Sequence, residues 1–157
     1  LKEYMEKRNL HCNCIRCKEI SSPITNPQMH VLEYSASEGK EFFISVKQEK
    51  EIIGFCRLRF PSQCLRKEIT KDSAIIRELH VYGAAIDIHK SGKVQHQGFG
   101  KMLLQKAEEI CRENGKEKLL VISGIGVRAY YKKLGYQQDG PYVSKVIKKV
   151  CFIHIVK

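Results

Sequence analysis

The sequence predicts one mixed α/β domain, and two observations lead to that prediction. Its 157 residues fit a single domain. Two apolar, β-branched segments, "EFFISVKQ" (41–48) and "EIIGFCRLRF" (51–60), are separated by the polar pair Glu49-Lys50, which indicates an antiparallel hairpin. Strand and helix patterns then alternate along the chain. The predicted order is β-β-β-α-β-α-β.

The remaining elements follow from periodicity and turn residues. Residues 1–10 resemble the end of a short helix, and "SAIIRELHVYGAAI" (73–86) is a third strand in which alternate residues share a face. That alternation places Ile75 with Leu79 and Val81, and Ile76 with Glu78 and His80. "KLLVIS" is a short buried strand, and "GVRAYYKKLGY" is a second helix ending at Gly135.

The first helix is predicted from one apolar stripe and a terminal glycine. Spacings of four, four and three residues are typical of one helical face. The stripe consists of Phe99, Leu103, Ala107 and Ile110. Asn114-Gly115 is a suitable end because glycine adopts the left-handed conformation that often closes a helix.

Composition excludes some classes of protein and favours others. No run approaches the about 18 consecutive apolar residues of a membrane span, and the charged N-terminus lacks the apolar centre of a signal peptide. Because the chain does not begin with Met, we expect a piece of a longer, cytoplasmic protein. Lys and Arg number 28 against 17 acidic residues, a net charge of +11. Such a charge favours RNA, DNA or a phosphate-rich cofactor, although a lysine-rich solvated surface would also explain it.

The turn before the first helix, Gln95-His96-Gln97-Gly98-Phe99-Gly100-Lys101, predicts an anion site. A helix N-terminus exposes unpaired N–H groups, and glycines let a ligand approach them. The spacing fits neither the dinucleotide-binding G-x-G-x-x-G nor a Walker A loop.

This turn also carries a family resemblance. Gln95-x-x-Gly98-x-Gly100, the preceding "RELHVYG" and the later "RAYYKKLGY" resemble the GCN5-related N-acetyltransferases. The resemblance implies a mixed, mostly antiparallel sheet flanked by helices, with acetyl-CoA held by the turn and the strand before it. The cofactor-binding residues it implies are Leu79, His80, Val81, Gln97, Gly98, Phe99, Gly100, Lys101 and Tyr131.

Catalytic candidates follow from the same resemblance. Tyr131 stands four residues before Gly135, where the family often has a general acid that protonates the leaving thiolate, and Tyr130 is the second candidate. Glu78 could activate water or an amine. Packing of Tyr131 in the core and a salt bridge from Glu78 are the simpler interpretations.

The resemblance narrows with "IIRELHVYG", "QHQGFGKMLL" and "VISGIGVRAYYKKLGYQQDGPYV". These segments, with "CNCIRCKEI", are similar to the acetyltransferase domain of the Elongator catalytic subunit family, which makes the carboxymethyl group on tRNA wobble uridines. The implied partners are tRNA, a radical S-adenosylmethionine domain with a 4Fe-4S cluster upstream of this chain, and other Elongator subunits if the source is eukaryotic; no membrane partner is expected. The expected function is activation or hydrolysis of acetyl-CoA in response to tRNA. The alternatives are a protein lysine acetyltransferase and a tRNA-binding module with a vestigial acetyl-CoA site.

Cys12, Cys14 and Cys17 form the second chemical signal. Three thiolates within six residues can reach one tetrahedral Zn²⁺, whereas disulfides at that spacing would be strained. His11, Cys56, Cys64 or an upstream domain could supply the fourth ligand. Exposed thiols without metal are the alternative.

Basic residues and domain limits complete the predictions. Residues 1–30 form a cysteine-rich, zinc-binding linker segment, residues 31–144 the acetyl-CoA-binding domain, and residues 145–157 a C-terminal extension.

Phosphate contacts with tRNA need Lys or Arg and do not read sequence. The candidates are Arg8, Arg16, Lys18, Arg57 and Arg59.

Overall fold

The fold is a seven-stranded sheet with its long helix packed on one face. A computed structural model describes residues 2–10, 12–82 and 98–148. In chain order the elements are α1 (Lys2–Glu6), a 3₁₀ turn (Ile15–Lys18), β1 (Gln28–Ala36), β2 (Gly39–Gln48), β3 (Glu51–Phe60), β4 (Ser73–Val81), α2 (Phe99–Glu113), β5 (Lys118–Val121), a second 3₁₀ turn (Ile125–Val127), α3 (Arg128–Lys133), β6 (Gln137–Asp139) and β7 (Tyr142–Val146). The strand order is β1-β2-β3-β4-β5-β7-β6, and β4–β5 is the parallel pair. No helix in these ranges is long and apolar enough to cross a bilayer.

The hairpin predicted at 41–60 is confirmed, but the sheet begins one strand earlier. β2 and β3 pair antiparallel around Glu49, which takes a positive φ of 53° in the turn. The strand β1, absent from the predicted order, pairs with β2 along its whole length. It is an edge strand whose residues are mostly exposed, so it lacks the buried apolar alternation that reveals a strand in sequence.

The main core lies between the sheet and α2. All four residues of the predicted stripe are buried, and Leu103 is fully inaccessible. They pack against side chains from β2, β3, β4 and β5. The helix ends as predicted at Asn114-Gly115, where Gly115 takes a φ of 66°.

Strand β4 contains a β-bulge, so the uninterrupted alternation expected from its sequence is wrong. Arg57 pairs with Glu78 but Leu58 pairs with Ile76, which leaves Arg77 as the extra residue. Ile76 before the bulge and Leu79 and Val81 after it therefore all pack toward the α2 side of the sheet.

The C-terminal strands hold α2 in place. Glu108 of α2 accepts hydrogen bonds from Tyr136 Oη (3.0 Å) and Lys145 Nζ (2.8 Å). Lys145 belongs to β7, and Ile147, the first residue after this strand, is buried. β1 and β7 thus each cross one of the domain limits at 30/31 and 144/145; residues 149–157 of the expected extension lie outside the described residues.

We expect Leu103→Ala to lower the free energy of unfolding by about 3–5 kcal/mol, because it leaves a cavity in the core. Met102→Ala is the matched control, since Met102 is the neighbouring helix residue and 43% exposed; its cost should stay below about 1 kcal/mol. Urea denaturation measures both values, and equal costs would contradict the packing of α2 described above.

Candidate active site

The site begins where the two parallel strands part. β4 and β5 pair from Ser73–Lys118 to Ile76–Val121, and Ile122 N–H donates to Ile76 O at 3.0 Å. Beyond Ile76 no strand within the described ranges pairs with this edge of β4. The backbone groups of residues 78–81 on this edge are thus open to an extended ligand, which can bind as an added strand does.

The N-terminus of α2 points three amides at the same opening. The first helical hydrogen bond runs from Met102 N–H to Gly98 O at 2.9 Å, so the N–H groups of Phe99, Gly100 and Lys101 precede it. Gly98 has a φ of 78°, and a Cβ atom there would meet nothing within 4 Å. These features suit a phosphate: open space, unpaired amides and the positive end of the helix dipole.

Gly100 joins this turn to β4 and α3. A Cβ atom at Gly100 would lie 3.2 Å from Tyr130 Oη and 3.6 Å from Val81 Cγ2. Glycine therefore lets α2, β4 and α3 meet at one point, and Tyr130 stands there with 40% of its surface exposed. Burial raises the pKa of Tyr130. Gln97, expected to bind the cofactor, lies outside the described residues.

Tyr131 lies deeper than its neighbour. It is only 5% exposed, its ring packs edge-on against Tyr130 and Tyr136, and burial, helped by the nearby Cys56 thiol, raises its pKa to about 12. Cys56 is the register partner of Leu79, so Tyr131 lies near the inner part of β4. Its core packing agrees with the simpler interpretation, while its catalytic role stays a prediction.

A buried hydroxyl marks the point where the strands separate. Ser123 Oγ, two residues after β5, is buried and has no hydrogen-bond partner among the described residues. Buried polar atoms normally have partners, so this oxygen is suited to a bound ligand. Nothing in the sequence pattern distinguished Ser123, because its burial depends on how the chain leaves β5.

Glu78 and His80 lie on the sheet face away from α2. The Glu78 carboxylate is exposed and 3.8 Å from Arg57 Nη1, which agrees with the salt bridge considered above. The His80 ring stacks 6.0 Å from Phe55 and meets Tyr82 edge-on at 4.6 Å. These side chains therefore face a surface on the other side of the sheet from α2.

The three N-terminal cysteines converge as predicted. Their Sγ atoms lie within 4.8 Å of one another, close to the roughly 3.8 Å that zinc–sulfur bonds of about 2.3 Å require in a tetrahedron. Hydrogen bonding from Cys12 lowers the pKa of Cys14 to about 7, so one thiolate forms readily. The donor set suits Zn²⁺.

The structure reduces the number of candidates for the fourth zinc ligand. In the described part of the chain no other His, Cys, Asp or Glu joins this group. Cys56 is wrong as a candidate because it is buried in the main core, and Cys64 is exposed elsewhere. His11 lies outside the described residues.

The basic candidates divide by how many internal contacts they make. Arg59 donates to Glu41, Ala36 O and Ser37 O, which leaves it few donors for a phosphate. Arg8 lies over the Tyr4 ring at 4.3 Å, and Arg16 and Lys18 flank the cysteines on the first 3₁₀ turn.

Family comparison agrees with this geometry. Residues 9–136 match the acetyltransferase (GNAT) family. The chain belongs to that family. A putative GNAT acetyltransferase from Desulfovibrio desulfuricans shares the fold at a TM-score of 0.53 and 15% identity, each chain being covered to 69%. The predicted fold class is thereby confirmed.

The narrower resemblance is also confirmed. The chain is 43% identical over 158 residues to a tRNA uridine(34) acetyltransferase of Methanocaldococcus infernus, which covers 91% of this chain and 30% of that protein. It is 43% identical to Elongator complex protein 3 of Saccharomyces cerevisiae, covering 89% of this chain and 27% of the other. The solved M. infernus Elongator protein, with an N-terminal deletion, superposes at a TM-score of 0.81 with 39% identity, over 92% of this chain and 38% of that one. The chain thus spans between 27% and 38% of the length of these proteins.

Gly98→Glu should abolish measurable acetyl-CoA binding, a loss of roughly a hundredfold or more. Its carboxylate would meet the phosphate at amides whose charge-assisted hydrogen bonds contribute about 1.5–3 kcal/mol each. Gly98→Ala controls for the strain of a side chain at positive φ and should retain most of the affinity. Isothermal titration calorimetry of the folded variants measures their affinities for acetyl-CoA. Equal affinities of wild type and Gly98→Glu would show that this turn does not bind the phosphate.

We expect the purified chain to hold a single zinc ion, and Cys14→Ser to lose most of it, because two thiolates bind zinc far more weakly than three. Elemental analysis by mass spectrometry after dialysis measures the stoichiometry. Cys64→Ser removes an exposed thiol outside the group and should keep full occupancy. A chain free of metal after growth in zinc-supplemented medium would argue for unliganded thiols.

Proposed function

We propose that this chain is the acetyl-CoA-binding part of an enzyme that modifies C5 of the wobble uridine of tRNA, and that it activates or hydrolyses the thioester when tRNA is present. The observation that carries the proposal is the opening between β4 and β5, at whose mouth three α2 amides have no hydrogen-bond partner among the described residues. The tRNA substrate is supported by the relatives, one of which is a tRNA uridine(34) acetyltransferase.

Different residues of the chain bind different parts of acetyl-CoA. The amides of Phe99, Gly100 and Lys101 bind the pyrophosphate, and Lys101 adds a positive charge in the first turn of α2. The free edge of β4 around Leu79 and Val81 binds the amide arm. Bound acetyl-CoA supplies an acetyl thioester; the protein holds it in one orientation and away from bulk water.

The two tyrosines occupy different depths and receive different roles. Tyr130, whose hydroxyl lies against Gly100, contacts the cofactor near the pyrophosphate. Tyr131, near Cys56 and the inner part of β4, donates a proton to the leaving sulfur. Its hydroxyl is protonated at neutral pH, as that of an ordinary tyrosine is, and can act as a donor; burial raises its pKa further, to about 12.

A protein lysine acetyltransferase is the second candidate, and Glu78 is the observation that favours it. Its exposed carboxylate could take a proton from an ammonium group that approaches from the face of the sheet away from α2. The excess of basic residues weakens this candidate, because a basic peptide would be repelled.

The deciding measurement is release of CoA thiol from acetyl-CoA by the purified chain, alone, with tRNA, and with a histone-tail peptide. We expect release to rise with tRNA. Release driven by the peptide alone would establish the lysine acetyltransferase, and tRNA binding without any release would indicate a binding module with a vestigial site.

Tyr131→Phe should lower the tRNA-stimulated rate by roughly 100-fold or more and leave acetyl-CoA affinity unchanged, because the hydroxyl acts only on the leaving sulfur. Tyr130→Phe should instead weaken acetyl-CoA binding with a smaller effect on the rate at saturation. Steady-state kinetics with both variants separates the two roles; the reverse pattern would exchange them.

A further inference from the structure

The sheet face away from α2 carries a row of aromatic side chains across three strands. Phe43 of β2 stacks on Phe55 of β3 at 5.3 Å, and Phe55 stacks on His80 at 6.0 Å with Tyr82 beside it at 6.2 Å. Phe55 is buried, His80 is exposed and Tyr82 is half-buried. The rings of His80 and Tyr82 thus rest against Phe55, which in turn stacks on Phe43. We call these four residues the aromatic platform.

The N-terminal segment turns one end of the platform into a cleft. Residues 13–16, which include the candidate zinc ligand Cys14, line one side, and Phe55, Glu78 and Tyr82 line the other, around a space of about 640 Å³. That volume is within the range of sites for small molecules. Its walls offer a flat apolar surface for a ring, together with an amide, a carboxylate and a guanidinium that can hydrogen-bond to polar ring edges.

A positively charged network borders the platform. Glu41, 2% exposed, accepts hydrogen bonds from Arg59 (2.9 Å), Arg77 (2.7 Å) and Tyr34 Oη (2.9 Å). Burial alone would raise the pKa of the Glu41 carboxyl, but these hydrogen bonds together lower it, so the carboxylate stays ionised.

Arg57 lies between this network and the cleft. Its guanidinium is 3.7 Å from Glu41 and 3.8 Å from Glu78, longer than a direct hydrogen bond. With Arg16, Arg59 and Arg77 it makes four guanidinium groups against three carboxylates, those of Glu41, Glu78 and Glu19, the last of which acts on Tyr82. The excess charge favours a polyanion over a basic peptide.

We propose that the cleft takes an unpaired base of RNA, stacked on Tyr82, with the adjoining phosphate bound by Arg57, which lies beside Glu78 of the cleft. Single-stranded bases are commonly bound by stacking on aromatic rings supported by a sheet, and a cleft between a loop and a sheet admits one flat ring where a duplex does not fit. The inference rests on the proposed function and specifies where tRNA would meet this chain: on the side of β4 opposite its packing against α2.

The test compares the affinity of the wild-type chain for a hairpin RNA with a single-stranded loop and for a blunt duplex with the same number of phosphates. We expect tighter binding of the hairpin. Tyr82→Leu should weaken hairpin binding by about tenfold, since stacking contributes roughly five- to 150-fold per base. Tyr82→Phe keeps the ring and should bind as wild type does; thermal unfolding confirms that each variant is folded.

The contact between Arg57 and the phosphate is tested separately, by the salt dependence of RNA binding. Arg57→Gln should reduce the slope of log affinity against log salt by about 0.7, the value for one single-strand phosphate contact. Lys106→Gln, which removes a charge from α2 on the other face, should leave the slope unchanged.

Three results would overturn the inference: equal binding of duplex and hairpin, equal affinities of Tyr82→Leu and wild type for the hairpin, or competition by a histone-tail peptide for the same cleft. Acetyl-CoA binding by the wild-type chain is measured separately. Loss of cofactor binding with hairpin stacking intact would count against the proposed function and not against the cleft.

Discussion

The molecule depends on two parallel strands that stop pairing early. β4 and β5 share hydrogen bonds only as far as Ile76 and Val121. Buried backbone groups are rarely left unpaired, so an unpaired strand edge beside a helix N-terminus needs a reason. The proposed function supplies that reason: a ligand with its own amide groups and a phosphate at one end. The position of α2, the glycines at its start and the tyrosines of α3 are all arranged around that opening.

The bulge at Arg77 divides β4 into two parts with different tasks. Before it, Ala74 and Ile76 fill the core; after it, Leu79 and Val81 still pack on the α2 side while Glu78 and His80 project to the opposite face. One extra residue thus gives a single strand an edge that, among the described residues, is open beyond Ile76 and an exposed face opposite α2. An unbroken strand would have turned Glu78 toward the core, where an unpaired carboxylate is costly.

Much of this arrangement could be predicted from sequence, and the exceptions share a cause. The hairpin, the α2 stripe and the glycine turn depend on local spacing, which a sequence displays. β1 was missed because an exposed edge strand has little apolar alternation. The bulge, the burial of Ser123 and the arginines around Glu41 depend on contacts between strands distant in sequence. The different depths of Tyr130 and Tyr131 depend on how α3 packs.

If α2 binds the cofactor as proposed, the contacts of Glu108 should influence that affinity from the far end of the helix. Tyr136 and Lys145 hold the helix about two turns from its first amides, and a rigid helix transmits any rotation at one end to the other. Selection on cofactor binding should therefore reach into β7. In an alignment of homologues, the residue types at positions 108 and 145 should vary together, although neither position touches the ligand.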